Sequence, residues 1–437
     1  MKVKIIGAGL AGSEAALQLA KRGIEVDLYE MRPKKMTGAH TTEKLAEFVC
    51  SNSMGSYDIF NASGLLKKEM ELLGSELIKI AFDVKVPAGN ALAIDRELFS
   101  QKVTEKISQN PLINLIRDEV NEIPVGNVII ASGPLTSDSM AKSIQSFTQE
   151  EHLHFFDAVA PIIEKDSINF DKAFYASRYD KGEASYINCP MNKDEYEKFY
   201  DILINAEKIE LKDFEKGAKF FESCLPVEVL ASRGFDTLRF GPMKPVGLID
   251  KRTNEKSYAV VQLRQDNSIR TLYNIVGFQT NLKWSYQKEL IHSIPGLENA
   301  NIMRYGVMHR NTFINSPKVL TSNLNTLKRP DLFFAGQITG VEGYTESMAS
   351  GLIAGINMAK FVNGENLLTL PKETILGALL NYITDKNHKQ LQPVNSNWAL
   401  ISHGVEFPKN IRKDKKAKAE ILSKRSLEVL NGVLTNL

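Results

Sequence analysis

The sequence predicts an α/β fold: a doubly wound parallel-sheet domain interrupted by an inserted α+β domain. Three observations lead there. The first thirty residues run strand, helix, strand around a glycine cluster. Residues 151–325 change texture to aromatic-rich, alternating segments. From Asp331 the opening pattern of strand, glycines and helix returns. Parallel strands joined by a right-handed helical crossover are the building block of a doubly wound sheet.

Taken in order, Val3, Ile5 and Ile6 form a short apolar strand that stops at Gly7. Residues 12–22 are good helix formers with Ala15, Ala16, Leu19 and Ala20 on one face; Gly23 closes the helix, and EVDLYE (25–30) returns as a second strand. DRELFSQKVTEKI predicts a helix, LINLIRDEVNEI a pair of strands, and NVIIASG a buried strand running into Gly133. In the insertion, SYAVVQLRQ and TLYNIVGFQT read as strands of a mixed or antiparallel sheet, with an acidic helical stretch around 192–216. DLFFAGQITG is a strand entering a turn, and TESMASGLIAGINMAKFV is a long helix. Residues 1–150 and 326–437 are therefore expected to be two parts of one domain, with 151–325 as the insertion. The tail segment 409–425 carries eight basic residues against two acidic. Such a run serves either as a solvated helix face or as a contact for RNA phosphates.

Composition narrows the function classes. With 437 residues, 43% apolar and 24% charged, the chain has the balance of a globular protein of two or three domains. No apolar run approaches the length of a membrane span, and the apolar stretch before Gly7 is too short for a signal-peptide core. The expectation is a cytoplasmic protein with no membrane partner. Cys50, Cys189 and Cys224 are the only cysteines and show no CxxC spacing, which argues against a disulfide scaffold and a cysteine zinc site. His152 and His154 share a strand face without a third ligand at suitable spacing, so no metal is expected.

The chemistry begins at Gly7-Ala8-Gly9-Leu10-Ala11-Gly12, a GxGxxG between strand and helix. Its first glycine permits the tight turn, the second lets backbone approach a pyrophosphate, and the third lets the helix pack on the sheet. The helix N-terminus offers N–H groups and partial positive charge to the phosphates. Glu30, 18 residues beyond Gly12, ends the second strand where a carboxylate accepts hydrogen bonds from an adenosine ribose. NAD and FAD share this fingerprint, and the tail separates them. FFAGQITGVEG (333–343) places Gly336, Gln337 and a second glycine cluster ahead of a helix. That suits a flavin ring resting on a late helix N-terminus, where the dipole stabilises the anionic reduced ring. FAD is the cofactor this pattern favours.

GAGLAGSEAA, VCSNSM, ASGPLTSDS, FYASRYDKGEASYINCPM, FFESCLPVEV, RFGPMKPVGL, YAVVQLRQDN, RYGVMHRNT and FFAGQITGVEGYTES together resemble the folate- and FAD-dependent tRNA uracil-5 methyltransferase family, from residue 1 to about 400. The resemblance implies a glutathione-reductase-like FAD-binding domain with an inserted α+β substrate domain. It implies an enzyme that takes a methylene group from 5,10-methylenetetrahydrofolate, reduces it with FADH2, and forms 5-methyluridine in the tRNA T-loop, with NAD(P)H reducing the flavin. Carbon 5 of uracil is a poor nucleophile until a thiolate adds to carbon 6, which is why such an enzyme keeps cysteines. The family's nucleophile falls on Cys224. Its second functional cysteine falls on Cys50, for proton removal from carbon 5 or for handling the one-carbon unit on the flavin. Cys189 reads as structural. Tyr344 could stack on the pterin; Glu342 and Glu346 could hydrogen-bond pterin or flavin, or be ordinary first-turn acids. Gly133, Gly336, Gln337, Glu342, Gly343 and Tyr344 join Gly7, Gly9, Gly12 and Glu30 as the expected cofactor and folate residues. Arg233, Arg239, Lys244 and Arg264 are either an RNA-facing surface or ordinary solvated and salt-bridged side chains.

The sequence departs from the family pattern at Ser223, where glycine is usual, at Asn281, where histidine is usual, and at Trp398, in place of a smaller aromatic. These changes fall on the substrate side. They keep open a relative that methylates a uridine of 23S ribosomal RNA. A small-molecule flavin oxidoreductase and a non-catalytic RNA-binding flavoprotein are the readings from other classes.

Overall fold

The computed structural model describes residues 2–150, 153–158, 160–180, 183–209, 225–250, 256–306, 308–388, 391–402, 404–411 and 413–435. Its central sheet has five parallel strands in the order Leu332–Phe334, Val128–Ile130, Lys2–Ile6, Glu25–Tyr29, Ile113–Ile116. Leu332 pairs with Val128, so strands about two hundred residues apart in the chain lie side by side. Val128–Ile130 and Leu332–Phe334 are buried at every position, as parallel strands covered on both faces must be. The first strand lies between Glu25–Tyr29 on one side and Val128–Ile130 on the other, so the connections diverge from its carboxyl end. That end is where Gly7 sits, the topological position at which open α/β sheets bind ligands.

Two helices cover this point. The first, Leu10–Lys21, is buried from Leu10 through Ala20, and the late helix, Tyr344–Val362, from Thr345 through Ala359. Both are buried on every face because they pack against sheet and against each other, with Glu14, Gln18, Ser350 and Asn357 among the polar groups enclosed. Their contact is so close that a Cβ on Gly351 would stand 2.2 Å from the Ala11 carbonyl oxygen. Any side chain there would force the helices apart.

A second sheet of six strands is antiparallel throughout, in the order Phe174–Ala176, Tyr186–Met191, Ala259–Gln265, Leu272–Ile275, Ile162–Glu164, Ile302–Arg304. Its own apolar core joins Cys189, Val261 and Ile275 to Tyr196, Phe199 and Leu203 of helix Lys193–Asn205. That helix starts in a capping box of Asn192 and Glu195. The expected helix around 192–216 is shorter than predicted: the chain turns extended at Ala206, and Ile209 then pairs with Asn281. Residues 210–216 of that prediction lie outside the described residues.

The paired strands expected in LINLIRDEVNEI reduce to one, Ile113–Ile116, at the sheet edge. Beyond it Arg117 donates to the carbonyls of Arg32 and Glu43, Asp118 pairs with Lys34 (3.2 Å) and Glu119 with Lys35 (2.7 Å). The charges that break the alternation tie this segment to the 31–43 loop instead of a neighbouring strand.

Glu69 knots three helices together at the back of the domain. From Ala62–Leu72 it accepts N–H bonds of Ile375 and Leu376 (both 2.8 Å), the first turn of Ile375–Thr384, and the hydroxyl of Ser426 (2.5 Å) on the C-terminal helix Lys415–Leu434. Burial pushes its carboxyl up to about 7 against these bonds. A carboxyl raised above its unfolded value of 4.5 contributes stability in full below that pH and loses it as pH rises towards 7. The loss amounts to about 3 kcal/mol across that window. Glu69→Gln is expected to flatten the fall in melting temperature between pH 5 and pH 7.5; equal slopes for variant and parent would refute the assignment. No helix among the described residues is long and apolar enough to cross a membrane.

Candidate functional site

At the carboxyl end of the first strand, Gly7 takes φ +99°, and a Cβ on Gly12 would lie 1.8 Å from the Gly7 carbonyl oxygen. The turn is therefore closed by glycine on both sides. A Cβ on Gly9, by contrast, would meet nothing within 4 Å. Gly9 is the N-cap of the first helix, and no side chain caps it. The result is a helix N-terminus open to a cleft of about 1050 Å³ lined by Gly7, Gly9, Glu30, Gly133, Gly336, Gln337 and Tyr344. Gly12 does not line it; its role is the close packing of helix on turn.

Glu30 is buried at the end of the second strand and accepts from the Ala8 N–H (3.1 Å) and from Arg32 Nε (2.9 Å). Burial opposes its ionisation, but the Arg32 guanidinium and the N–H donors prevail and hold its carboxyl below the usual range. Arg32, only 1% exposed, also bonds Glu47 Oε2 at 3.0 Å and the Thr42 carbonyl at 3.1 Å. Sequence reasoning missed this arginine. Its one local signal is a charged residue two places after the strand-ending acid.

A second cleft, of about 1190 Å³, adjoins the first, and Gln337, Tyr344, Val49, Pro134 and Leu135 line both. Cys50, Glu342, Gly343 and Glu346 line the second, together with Gln279 and Asn311. Gly343 is the N-cap of the late helix at φ +114°, where a Cβ would collide with the Glu346 carboxylate at 2.3 Å. Tyr344 opens that helix. Its ring packs on Phe48 (4.2 Å between centroids), and its hydroxyl accepts from the Cys50 N–H at 2.7 Å. Gln337 Nε2 donates to Glu342 Oε2 (2.6 Å), and Glu346 accepts from the backbone and hydroxyl of Ser396. The two acids are thus fixed by neighbours as well as facing the cleft.

The loop bearing Cys50 is held by Arg96, at the start of helix Arg96–Ser108, and by Arg264 of the six-stranded sheet. Arg96 Nη1 donates to the carbonyls of Phe48 and Cys50 (both 3.4 Å), while its Nη2 pairs with Asp266 at 2.5 Å. Arg264 donates to Asn52 Oδ1 (3.0 Å) and Ser51 Oγ (3.1 Å), and the Asn52 amide donates to the carbonyls of Ile94 and Gln265 (2.9 Å each). The RNA-facing alternative for Arg264 is thereby corrected. It is buried, and burial lowers its pKa. The reason is strand register, which turns Arg264 inward onto the Cys50 loop. Arg239 is likewise engaged, bonded to Asp236 and lying 3.5 Å over the Tyr258 ring. Arg233 and Lys244 are exposed.

Cys224, Ser223 and His152 lie outside the described residues. Val227, three residues after Cys224, donates to the carbonyl of Gln279 (2.7 Å), which lines the Cys50 cleft. Asn281 lines neither cleft: its amide donates to the Ile209 carbonyl (3.1 Å) and its N–H to the buried Glu228. Cys189 is fully buried in its strand, which pushes its thiol up. Among the described residues no group of three His, Cys, Asp or Glu side chains is placed to hold a metal ion.

Residues 2–366 match the family model described as glucose inhibited division protein A. The whole chain is 57% identical over 437 residues to the methylenetetrahydrofolate–tRNA-(uracil-5-)-methyltransferase TrmFO of Anoxybacillus flavithermus, covering 100% of both. The chain belongs to the TrmFO family. The TrmFO of Brevibacillus brevis is also 57% identical, over 430 residues, covering 98% of this chain and 97% of that protein. Among solved structures, GidA of Aquifex aeolicus superposes with a TM-score of 0.68 at 18% identity, covering 100% of this chain and 76% of that one. It shares the fold that carries the family's glycine-rich turn.

Proposed function

We propose that this chain is an enzyme that methylates carbon 5 of a tRNA uridine with a one-carbon unit from methylenetetrahydrofolate, as the names of its TrmFO relatives state for them. FAD is the resident cofactor, NAD(P)H the reductant, and the T-loop uridine the target. We read residues 1–150 with 326–437 as the FAD domain and 151–325 as the substrate domain; the separate apolar core of the six-stranded sheet supports this between Ile163 and Ala300, while Phe313, Ile314, Val319, Leu320 and Leu324 pack in the other core. The observation that carries the reading is the junction of the two clefts. The cleft at the glycine turn and the Cys50 cleft meet at Tyr344 and Gln337, which line both.

The residues present fit FAD. The uncapped helix N-terminus beside the open Gly9 suits its pyrophosphate, Glu30 its ribose, and Gly133, Gly336 and Gln337 the far end. When bound in reduced form, the flavin supplies the hydride that takes the transferred carbon from methylene to methyl. Cys224 thiolate adds to carbon 6 of the uracil, making carbon 5 nucleophilic towards the methylene of the folate. Cys50 then takes the carbon 5 proton, and the electron pair left behind expels tetrahydrofolate to give an exocyclic methylene; hydride addition to that methylene expels Cys224 and restores the ring double bond. The sparse, odd cysteine set supports a cytoplasmic setting.

The test supplies flavin-loaded protein with methylenetetrahydrofolate, NADPH and either tRNA or ribosomal RNA transcripts, and locates 5-methyluridine by nuclease digestion and mass spectrometry. Product at the tRNA T-loop is expected. Product confined to ribosomal RNA would overturn the target, and none in either would overturn the reaction.

A further inference from the structure

We propose that the substrate RNA docks on a surface formed by the C-terminal helix Lys415–Leu434 and the turn 57–61, with Lys413, Lys416 and Lys424 facing phosphates and Tyr57 and Phe60 offering faces for bases. This deepens the proposed function and rests on its RNA substrate. A lysine-rich helix is normally only a solvated face. Here three further observations point to a polyanion with stackable bases.

First, two of the lysines are weakly held. Lys416 and Lys424 side chains are each 79% exposed, and their carboxylate partners, Glu420 and Glu428, are distant at 4.0 and 3.9 Å. Exposed i,i+4 pairs of this kind are worth little, so the ammonium groups exchange partners readily. Second, the adjoining turn exposes two aromatic rings, Tyr57 at 44% and Phe60 at 39%. Aromatic faces beside lysines are the composition of single-strand and loop recognition. Third, the surface is rigid and joined to the site. Ser423 donates its hydroxyl to the Ile59 carbonyl at 2.7 Å, fastening helix to turn. Lys416 stands seven residues, about two turns, before Ser423 and so on the same stripe. Tyr57 is tied through its hydroxyl to the Gly89 carbonyl (3.3 Å), and the Phe60 N–H bonds Asp58 (2.9 Å). The turn follows directly on Ser53, Met54 and Gly55, which line the Cys50 cleft. An RNA loop laid on it would have a base within reach of that cleft, and little ordering cost would fall on the protein.

The experiment measures tRNA binding by fluorescence anisotropy across salt, with product formation assayed separately. Lys413→Glu/Lys416→Glu/Lys424→Glu is expected to weaken binding at least about thirtyfold at 0.1 M salt and to cut the log–log salt slope by about two. Tyr57→Ala/Phe60→Ala is expected to weaken it roughly tenfold with the slope unchanged. Flavin content and NADPH oxidation stay at parental levels in both, which excludes misfolding. The same charge change placed outside both this surface and the substrate domain, Lys142→Glu/Lys328→Glu/Lys386→Glu, is the control. Binding unchanged in the test variants, or weakened equally by the control, overturns the docking surface. Because binding is read apart from product, parental protein that forms 5-methyluridine while the test variants bind normally defeats this inference alone. Parental protein that binds tRNA but makes no product defeats the reaction and leaves the surface standing.

Discussion

Cys224→Ala is expected to lower 5-methyluridine formation by at least about a thousandfold, on the order of 4 kcal/mol in the barrier, while NADPH still reduces the bound flavin. The argument is chemical. Carbon 5 of uracil attacks the folate methylene only after carbon 6 carries a nucleophile, and no water or hydroxyl replaces a thiolate in that role at neutral pH. Cys224→Ser therefore rescues nothing. The loss belongs to turnover and not to tRNA affinity, because the adduct forms after binding. The residues that follow Cys224 are firmly placed. Leu225 is buried, Val227 is bonded to Gln279, and Glu228, whose carboxyl burial raises, accepts from Thr280 and Asn281. A methylation rate within tenfold of the parent would remove Cys224 from the reaction. Cys50→Ala then distinguishes the two thiols. If Cys50 acts after the adduct forms, that variant traps RNA on Cys224, and the covalent complex is visible by intact mass.

What could be read from the sequence follows the range of the interactions. The turn at Gly7, Gly9 and Gly12 was legible because helix packing and phosphate approach forbid side chains at fixed spacing within six residues. The return of strand and glycines at 332–343 was legible for the same reason. The support of the Cys50 loop was not. Arg96 reaches it from 46 residues away and Arg264 from more than 200, and nothing local marks either as inward. An alternating strand exposes every second residue only when one face meets water. Ala259–Gln265 is buried at all seven positions, so alternation carried no sign of which way Arg264 points. Asn281 shows the converse. As a departure from the family pattern it falls on the substrate side, yet its amide holds the Ile209 backbone while Gln279, two residues earlier, lines the cleft.

Gly9→Val is expected to leave the fold intact and empty it of flavin, with FAD affinity falling at least about a hundredfold, ~3 kcal/mol. The three glycines of the turn look alike in sequence but differ in what surrounds them. At Gly12 a side chain strikes the Gly7 carbonyl, and at Gly7 the backbone lies at φ +99° with Ala131 O 2.5 Å from a Cβ. Substitution at either destabilises the domain, and loss of flavin there says nothing specific about binding. Gly9 has φ −71° and ψ −165°, an extended conformation open to any residue, and its Cβ direction is empty to 4 Å. A valine there stands in the approach to the helix N-terminus, where phosphate meets the uncapped N–H groups. Far-ultraviolet circular dichroism and the urea midpoint of the flavin-free protein should match the parent stripped of flavin, while the 450 nm absorbance is lost. Retained flavin with an unchanged midpoint would mean that the pyrophosphate does not lie over Gly9. An unfolded variant would mean that this position is part of the packing that Gly12 and Gly351 maintain.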